Sequence, residues 1–263
     1  MEGLTGFFIF ALGAIVGSFL NVCIVRMPKE ESVVRPGSHC VHCKVPIPWH
    51  DNIPFISYIL LKGRCRSCKK PISIRYFFVE LTTAALFLLL YSYFGLSWRL
   101  LPYLLMTAGL IVATFVDVEH RIIPDEISVG GMVAGLILSF LIPELHETSS
   151  RFAALGWSLA GVLIGGGSIY LMGILGDFIF KKESMGGGDV KLLAMIGAFL
   201  GWKAAILTFF IAPVFGAVAG IIVKIRTKDS VIPYGPFLAL GALICLFYAQ
   251  PIIDWIMSGY GMY

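Results

Sequence analysis

Seven stretches of this chain contain no Lys, Arg, Asp or Glu: residues 3–25, 81–98, 100–116, 127–143, 152–176, 204–223 and 230–253. Most are long enough for a helix to cross about 30 Å of hydrocarbon. An eighth and shorter apolar run, 192–202, follows Asp189. The pattern predicts an all-α polytopic membrane protein with about eight transmembrane helices, the sixth unusually short. The first run is preceded only by Glu2 and ends in no small-residue cleavage site, so it reads as a permanent helix rather than a removed signal. A single long polar segment, 26–75, interrupts the series. The expected organisation is therefore a first transmembrane helix over 1–25, a cytoplasmic four-cysteine loop over 26–75 and a transmembrane core over 76–263.

Composition agrees with this reading. Of the 263 residues, 58% are hydrophobic and 14% charged, with a mean hydropathy of +0.87. A soluble domain is nearer half apolar and a quarter charged. Charge also orients the spans. With the amino terminus outside and eight alternating crossings, the inner loops are 26–75, 117–126, 181–191 and 224–229. They hold 17 of the 20 Lys and Arg residues, leaving Arg99, Arg151 and Lys203 outside. Basic residues gather on the cytoplasmic side of membrane proteins. The net charge of +4 then reflects loops facing anionic lipid, and no nucleic-acid partner is expected even for the basic cluster around Arg64 and Arg66.

The polar segment carries Cys40 and Cys43 as one CxxC pair and Cys65 and Cys68 as another. Two such knuckles about twenty residues apart are a zinc-ribbon signal. Four thiolates close a tetrahedral Zn²⁺ site with no open position, which points to structure rather than catalysis. Iron in place of zinc, or disulfides, are the alternatives, and the reducing cytoplasm disfavours disulfides. His39, His42 and His50 lie nearby and read as surface residues. Cys23 and Cys245 read as small core hydrophobes.

Two aspartates stand at span ends. Asp117 closes the third span and Asp189 opens the sixth, both on the expected cytoplasmic side. Ionisable groups at membrane depth are costly and so suggest function. Two close carboxyls can share a proton, one activating water while the other polarises an amide carbonyl, as in the pepsin pattern. The helix ends assign the roles: Asp189, at a helix amino end, is the expected base, and Asp117, at a carboxyl end, the expected carrier of the proton. Gly186, Gly187 and Gly188 precede Asp189 without side chains, forming an expected active-site loop that lets backbone approach an extended peptide. Lys191 either helps hold Asp189 ionised or contacts headgroups, Asp125 reads as a cap or hydrogen-bond partner, and Glu80 is placed to pair with Arg75.

Taken together, GSFLNVCIVRMP at 17–28, the two CxxC knuckles, IRYFFVEL at 74–81, Asp117 with IIPDE at 122–126, the GxGD motif at 186–189 and IPYGPFLALG at 232–241 resemble bacterial type IV prepilin peptidases, GxGD-type intramembrane aspartic proteases, over essentially the whole chain. The resemblance implies an aspartic endopeptidase of the inner membrane, with Asp117 and Asp189 as its catalytic pair and its active site facing the cytoplasm. The implied substrates are type IV prepilins and type II secretion pseudopilins with short basic leaders. The four-cysteine loop marks members that also N-methylate the new amino terminus with S-adenosylmethionine. Gly63 and Glu80 match family positions associated with methyl transfer. Two other classes compete: a transporter using membrane acids for proton or ion coupling, and a non-enzymatic assembly factor docking through the zinc loop.

Overall fold

The computed structural model describes residues 2–181, 185–227 and 232–259. Among these residues the chain is helical, with no strands; two isolated bridges, His39 with Pro46 and Arg64 with Pro71, are the only extended pairings. The helices are α1 (Glu2–Arg26), α2 (Ile56–Leu60), α3 (Arg75–Phe94), α4 (Leu100–His120), α5 (Asp125–Leu141), α6 (Arg151–Phe180), α7 (Gly187–Thr227) and α8 (Gly235–Gly259). Six of them, all but α2 and α5, are long and apolar enough to cross a membrane. The chain divides into two compact units, Met1–Val112 and Ala113–Tyr263.

The eight expected spans map onto these helices with two differences. The fourth, expected over 127–143, corresponds to α5, which has the same 17 residues in length but is not among the six helices long and apolar enough to cross. The sixth and seventh lie in one 41-residue element, α7, which is broken at Gly201 (φ 78, ψ 173). A side chain built on Gly165 of α6 would meet both the Leu193 carbonyl at 2.6 Å and the Ala205 side chain at 3.3 Å. In a straight helix residues 193 and 205 would be about 18 Å apart. The chain therefore doubles back at Gly201, and α7 is a hairpin of a short limb, 187–200, and a long limb, 202–227. The left-handed backbone at the turn is one that glycine adopts without a Cβ clash.

Helix boundaries also move relative to the charge-free runs. Helix α3 begins at Arg75 and contains Glu80, because a single acid inside a helix does not interrupt it. Gly95 ends it, with φ 60 and its N–H donating to the Tyr91 carbonyl at 2.8 Å, although apolar sequence continues to Trp98. Ser150 caps α6, its hydroxyl accepting from the Ala153 N–H at 3.4 Å.

Glycines spaced four apart bring helices together within each unit. In α1, side chains at Gly13 and Gly17 would strike the Cα atoms of Ala84 and Glu80 in α3, each at 2.7 Å. In α5, Gly131 and Gly135 face Met195, Ala198 and Phe199 of the short limb. In α6, Gly161 lies against the backbone of Gly197. Lipid gives no hydrophobic drive for helices to associate, so close backbone approach with its dispersion contacts carries much of the packing. The short limb is the centre of the second unit: Leu192, Leu193, Met195, Ile196, Ala198 and Phe199 are each 1% exposed or less.

A polar cluster closes the far end of that limb. The break at Gly201 deprives the Ala198 carbonyl of its usual partner four residues on. The hydroxyls of Ser158 and Ser139 donate to it instead, at 2.6 and 3.2 Å. Ser139 also meets His146 Nε2 at 2.9 Å. Burial pushes the His146 imidazole down to about 4, so it sits there neutral.

Gly161→Val should cause a loss of about 1–3 kcal/mol or more through overpacking, whereas Gly156→Ala, which meets nothing within 4 Å, should be neutral. Thermal unfolding of the two purified variants in detergent checks this; equal midpoints would contradict the packing.

Candidate active site and cysteine centre

In the second unit, Asp117 lies in the last turn of α4, 6% exposed. Its Oδ2 accepts the Gly235 N–H at 2.8 Å. That amide opens α8, so a second helix end, of opposite sign to its own, faces the carboxyl. Asp189 lies in the first turn of the short limb, half-buried, within electrostatic reach of Asp117. The two carboxyls, 72 positions apart in sequence, are thus brought together. The expected proton on Asp117 rested on the ends of α4 and of the short limb; the Gly235 N–H on Oδ2 brings a third helix end, that of α8, which this expectation did not include.

The three glycines before Asp189 divide. Gly187 and Gly188 are helical, so only Gly186 lies in the loop. The space beside Gly188 is filled by Ile123, 3.1 Å from where a Cβ would be, whereas Gly187 faces open space. Lys191 is taken up by Asp125, its Nζ lying 2.7 and 2.9 Å from the two carboxylate oxygens. It braces the start of α5 against the short limb and is not the partner of Asp189. The partner role read for Asp125 is met by that same pair.

Gly235 and Tyr234 were not singled out from the sequence as site residues. A side chain at Gly235 would come within 2.8 Å of Asp117 Oδ2, so the amide can approach only because this residue is glycine. The signal was the YGP triplet opening an apolar run, a helix start with no capping side chain. Tyr234 lies beside Asp189's charge, and its hydroxyl is buried without a hydrogen-bond partner among the described residues.

In the first unit the four cysteines converge. Their sulfurs all lie within 4.8 Å of one another, with Cys40 and Cys68 at 3.9 Å and Cys43 and Cys65 at 4.0 Å. Thiolates around Zn²⁺ at 2.3 Å have sulfurs about 3.8 Å apart, whereas a disulfide needs about 2.05 Å. The spacing fits a four-thiolate metal site. His39, His42 and His50 are not in the cluster, and the His39 ring bonds the Gly37 carbonyl.

The two knuckles repeat one backbone design, 25 residues apart. Cys40 N–H donates to the Val45 carbonyl and Lys44 N–H to that of Cys40; Cys65 donates to Lys70 and Lys69 to Cys65. Lys44 and Lys69 both take left-handed backbone, φ 59 and 60. A fork from Arg66 to Asp51, both bonds 2.6 Å, ties the second knuckle to the segment between them and holds the Asp51 carboxyl below its usual range.

Beside the cysteines is a cavity of about 660 Å³ whose walls include Asn21, Arg26, Tyr58, Arg75, Tyr76 and Glu80. Asn21 is 1% exposed; its amide nitrogen donates to the Gly17 and Tyr76 carbonyls, while its Oδ1 has no partner among the described residues. Glu80 is anchored to the segment between the knuckles. Its Oε2 accepts the Phe55 N–H at 2.9 Å, fixing a residue held at φ 60, ψ −53. Gly63 does not line the cavity. It turns the chain behind Tyr58 at φ 64, and a side chain there would come within 2.9 Å of the Tyr58 hydroxyl.

Comparison with known proteins supplies the family. Residues 11–94 match the bacterial peptidase A24 N-terminal domain, and residues 104–221 match the type IV leader peptidase family. Curated relatives named prepilin leader peptidase/N-methyltransferase include one from Myxococcus xanthus, 40% identical over 84% of this chain and 63% of that protein. Others are from Aeromonas hydrophila, 32% identical over 96% of this chain and 93% of the relative, and Pseudomonas aeruginosa, 35% identical over 92% and 89%. The chain therefore spans less than two thirds of the Myxococcus relative but about nine tenths of the other two. No solved structure matches the chain. With a helical membrane architecture among the described residues, paired knuckles in the matched N-terminal domain and two aspartates within electrostatic reach of each other in the second unit, the chain belongs to the type IV leader peptidase family.

Proposed function

We propose that this chain removes the basic leader from type IV prepilins and type II secretion pseudopilins at the cytoplasmic face of the bacterial inner membrane. It then N-methylates the new amino terminus. Asp117 and Asp189 are the hydrolytic pair. The observation that carries the peptidase reading is the meeting of these carboxyls at helix ends in one unit, Asp117 tethered by the Gly235 amide. One carboxylate takes a proton from water as its oxygen attacks the scissile carbonyl, and the other carboxyl donates its proton to that carbonyl oxygen. Exposed Gly186 and Gly187 leave room for an extended leader beside Asp189. The excess of basic residues on one set of loops supports placing this site on the cytoplasmic side.

The four cysteines hold a structural Zn²⁺. The segment between α1 and α3 has little apolar material to fold on, and a closed metal site fixes its two knuckles. S-adenosylmethionine, which supplies the methyl group when bound, fits the neighbouring cavity: its volume is in the usual range for small ligands. The unpartnered Asn21 Oδ1 offers an acceptor, Tyr58 and Tyr76 offer aromatic faces, and Glu80 offers a carboxylate to a cationic sulfonium. Gly63 acts through Tyr58, whose position it permits.

Asp117→Asn and Asp189→Asn should each lower cleavage of a purified prepilin by at least about 10²-fold, read by mass spectrometry of leader loss; near-wild-type cleavage in either removes the pair. Cys65→Ser should lose the metal, read as metal content per chain, and lower the unfolding temperature. A wild-type protein that binds no metal would contradict the centre. Glu80→Gln should weaken calorimetric binding of S-adenosylmethionine about tenfold, the scale of a lost charged hydrogen bond; an unchanged affinity removes Glu80 from the cofactor site.

A further inference from the structure

We propose that Tyr234 is a third catalytic group of this site, its phenol donating a hydrogen bond to the carbonyl oxygen of the scissile peptide bond. The proposal rests on the hydrolytic reading of Asp117 and Asp189 and extends it to a residue that neither helix α4 nor α7 supplies.

Three observations converge on the phenol. First, Tyr234 directly precedes Gly235, whose N–H is fixed on Asp117 Oδ2 at 2.8 Å, so its backbone is tied to one carboxyl. Secondly, it lies within electrostatic reach of the other carboxyl, Asp189. Thirdly, its hydroxyl is buried and has no hydrogen-bond partner among the described residues. A buried hydroxyl left unpaired is destabilising, and buried Tyr oxygens usually have partners. An extended peptide entering beside Asp189 brings a row of carbonyl oxygens, which are acceptors matching an O–H donor.

The hydroxyl is suited to donate without ionising. Burial and the Asp189 charge push the phenol up to about 12, so it keeps its proton throughout the working pH range. In the reaction it gives up no proton. Water oxygen bonds to the carbonyl carbon as one carboxylate accepts the water proton; the other carboxyl protonates the carbonyl oxygen, on which the Tyr234 O–H donates as negative charge builds. The C–N bond then breaks: the leaving amine takes the proton that came from water, and one hydroxyl of the tetrahedral centre returns a proton to the carboxyl that had given its own as the carbonyl re-forms. A fixed donor aimed at developing charge stabilises the transition state more than the bound substrate.

Tyr234→Phe removes only the oxygen and tests this. Purified wild type, Tyr234→Phe and Asp189→Asn are assayed on one prepilin over a range of concentrations, with thermal unfolding of each. The expected result is a fall in kcat of about 10²-fold, the scale of one lost donor, with KM within about threefold and an unfolding temperature equal to or above wild type. A kcat within about threefold of wild type, a change confined to KM, or a kcat loss accompanied by a matching loss of stability overturns the proposal. The Asp189→Asn arm keeps the two readings apart: full cleavage there sinks the aspartate pair itself, whereas its inactivity beside an unimpaired Tyr234→Phe sinks only the role of the phenol.

Discussion

The second unit depends on burying one short helix on all sides. The limb 187–200 is too short to cross a bilayer alone, at about 1.5 Å per residue, and it stands inside the unit rather than in lipid. Its neighbours can enclose it only because glycine lets them approach closely: Gly161 and Gly165 of α6 lie against its backbone, and Gly131 and Gly135 of α5 against its Met195, Ala198 and Phe199 side chains. Enclosure fixes both ends. The far end is sealed by Ser139 and Ser158 on the orphaned Ala198 carbonyl, with His146 on the Ser139 hydroxyl. The near end carries Asp189, half-buried. A carboxyl on a rigid and enclosed limb, with the Gly186 N–H of the preceding loop on it, keeps its place, which matters when its partner is supplied by another helix.

Asp117 is held by different means. It closes α4, and its position is fixed by a single N–H from the start of α8. That contact requires residue 235 to be glycine, since a Cβ would reach the carboxyl oxygen. The site is thus assembled from three helix ends, those of α4, α7 and α8. Helix ends carry unpaired backbone groups, so a membrane protein that gathers them in one place has concentrated its polar backbone where polar chemistry is useful and kept it from lipid, where it would be costly.

Much of this was legible in the sequence, and the limits have physical causes. Charge-free runs reveal apolar helices because a charge in hydrocarbon is expensive, so α1, α4 and α6 stand out plainly. The same rule misplaces α3 and α8, whose ends are set by Gly95 and Gly235, backbone features that charge does not report. The short sixth run was visible, yet nothing in hydropathy says that a short helix is enclosed; that requires knowing which glycines face it. The cysteine spacing gave the convergence of four sulfurs, since CxxC geometry is local. The pairing of Lys191 with Asp125, by contrast, spans 66 positions, and sequence proximity offered Lys191 only Asp189 or headgroups. Gly235 and Tyr234 escaped notice because a residue that acts through a backbone N–H, or through an aromatic hydroxyl in an apolar run, leaves no charge signature.

The two units solve the same problem of stability with opposite means. The segment between α1 and α3 is polar and cannot gain much from burial, so its order comes from repeated knuckle turns, the Arg66–Asp51 fork and a cluster of thiols at metal-ligand spacing. The second unit has little polar material, and lipid denies it the solvent-driven association that a soluble core enjoys. It relies on shape, with glycine against backbone and hydroxyls on one carbonyl. Shape of this kind tolerates few additions, since packed interiors respond to changes of a single methylene. The same intolerance that restricts the sequence around the short limb is what confines its carboxyl within electrostatic reach of Asp117, so placement at one end of the limb follows from packing at the other.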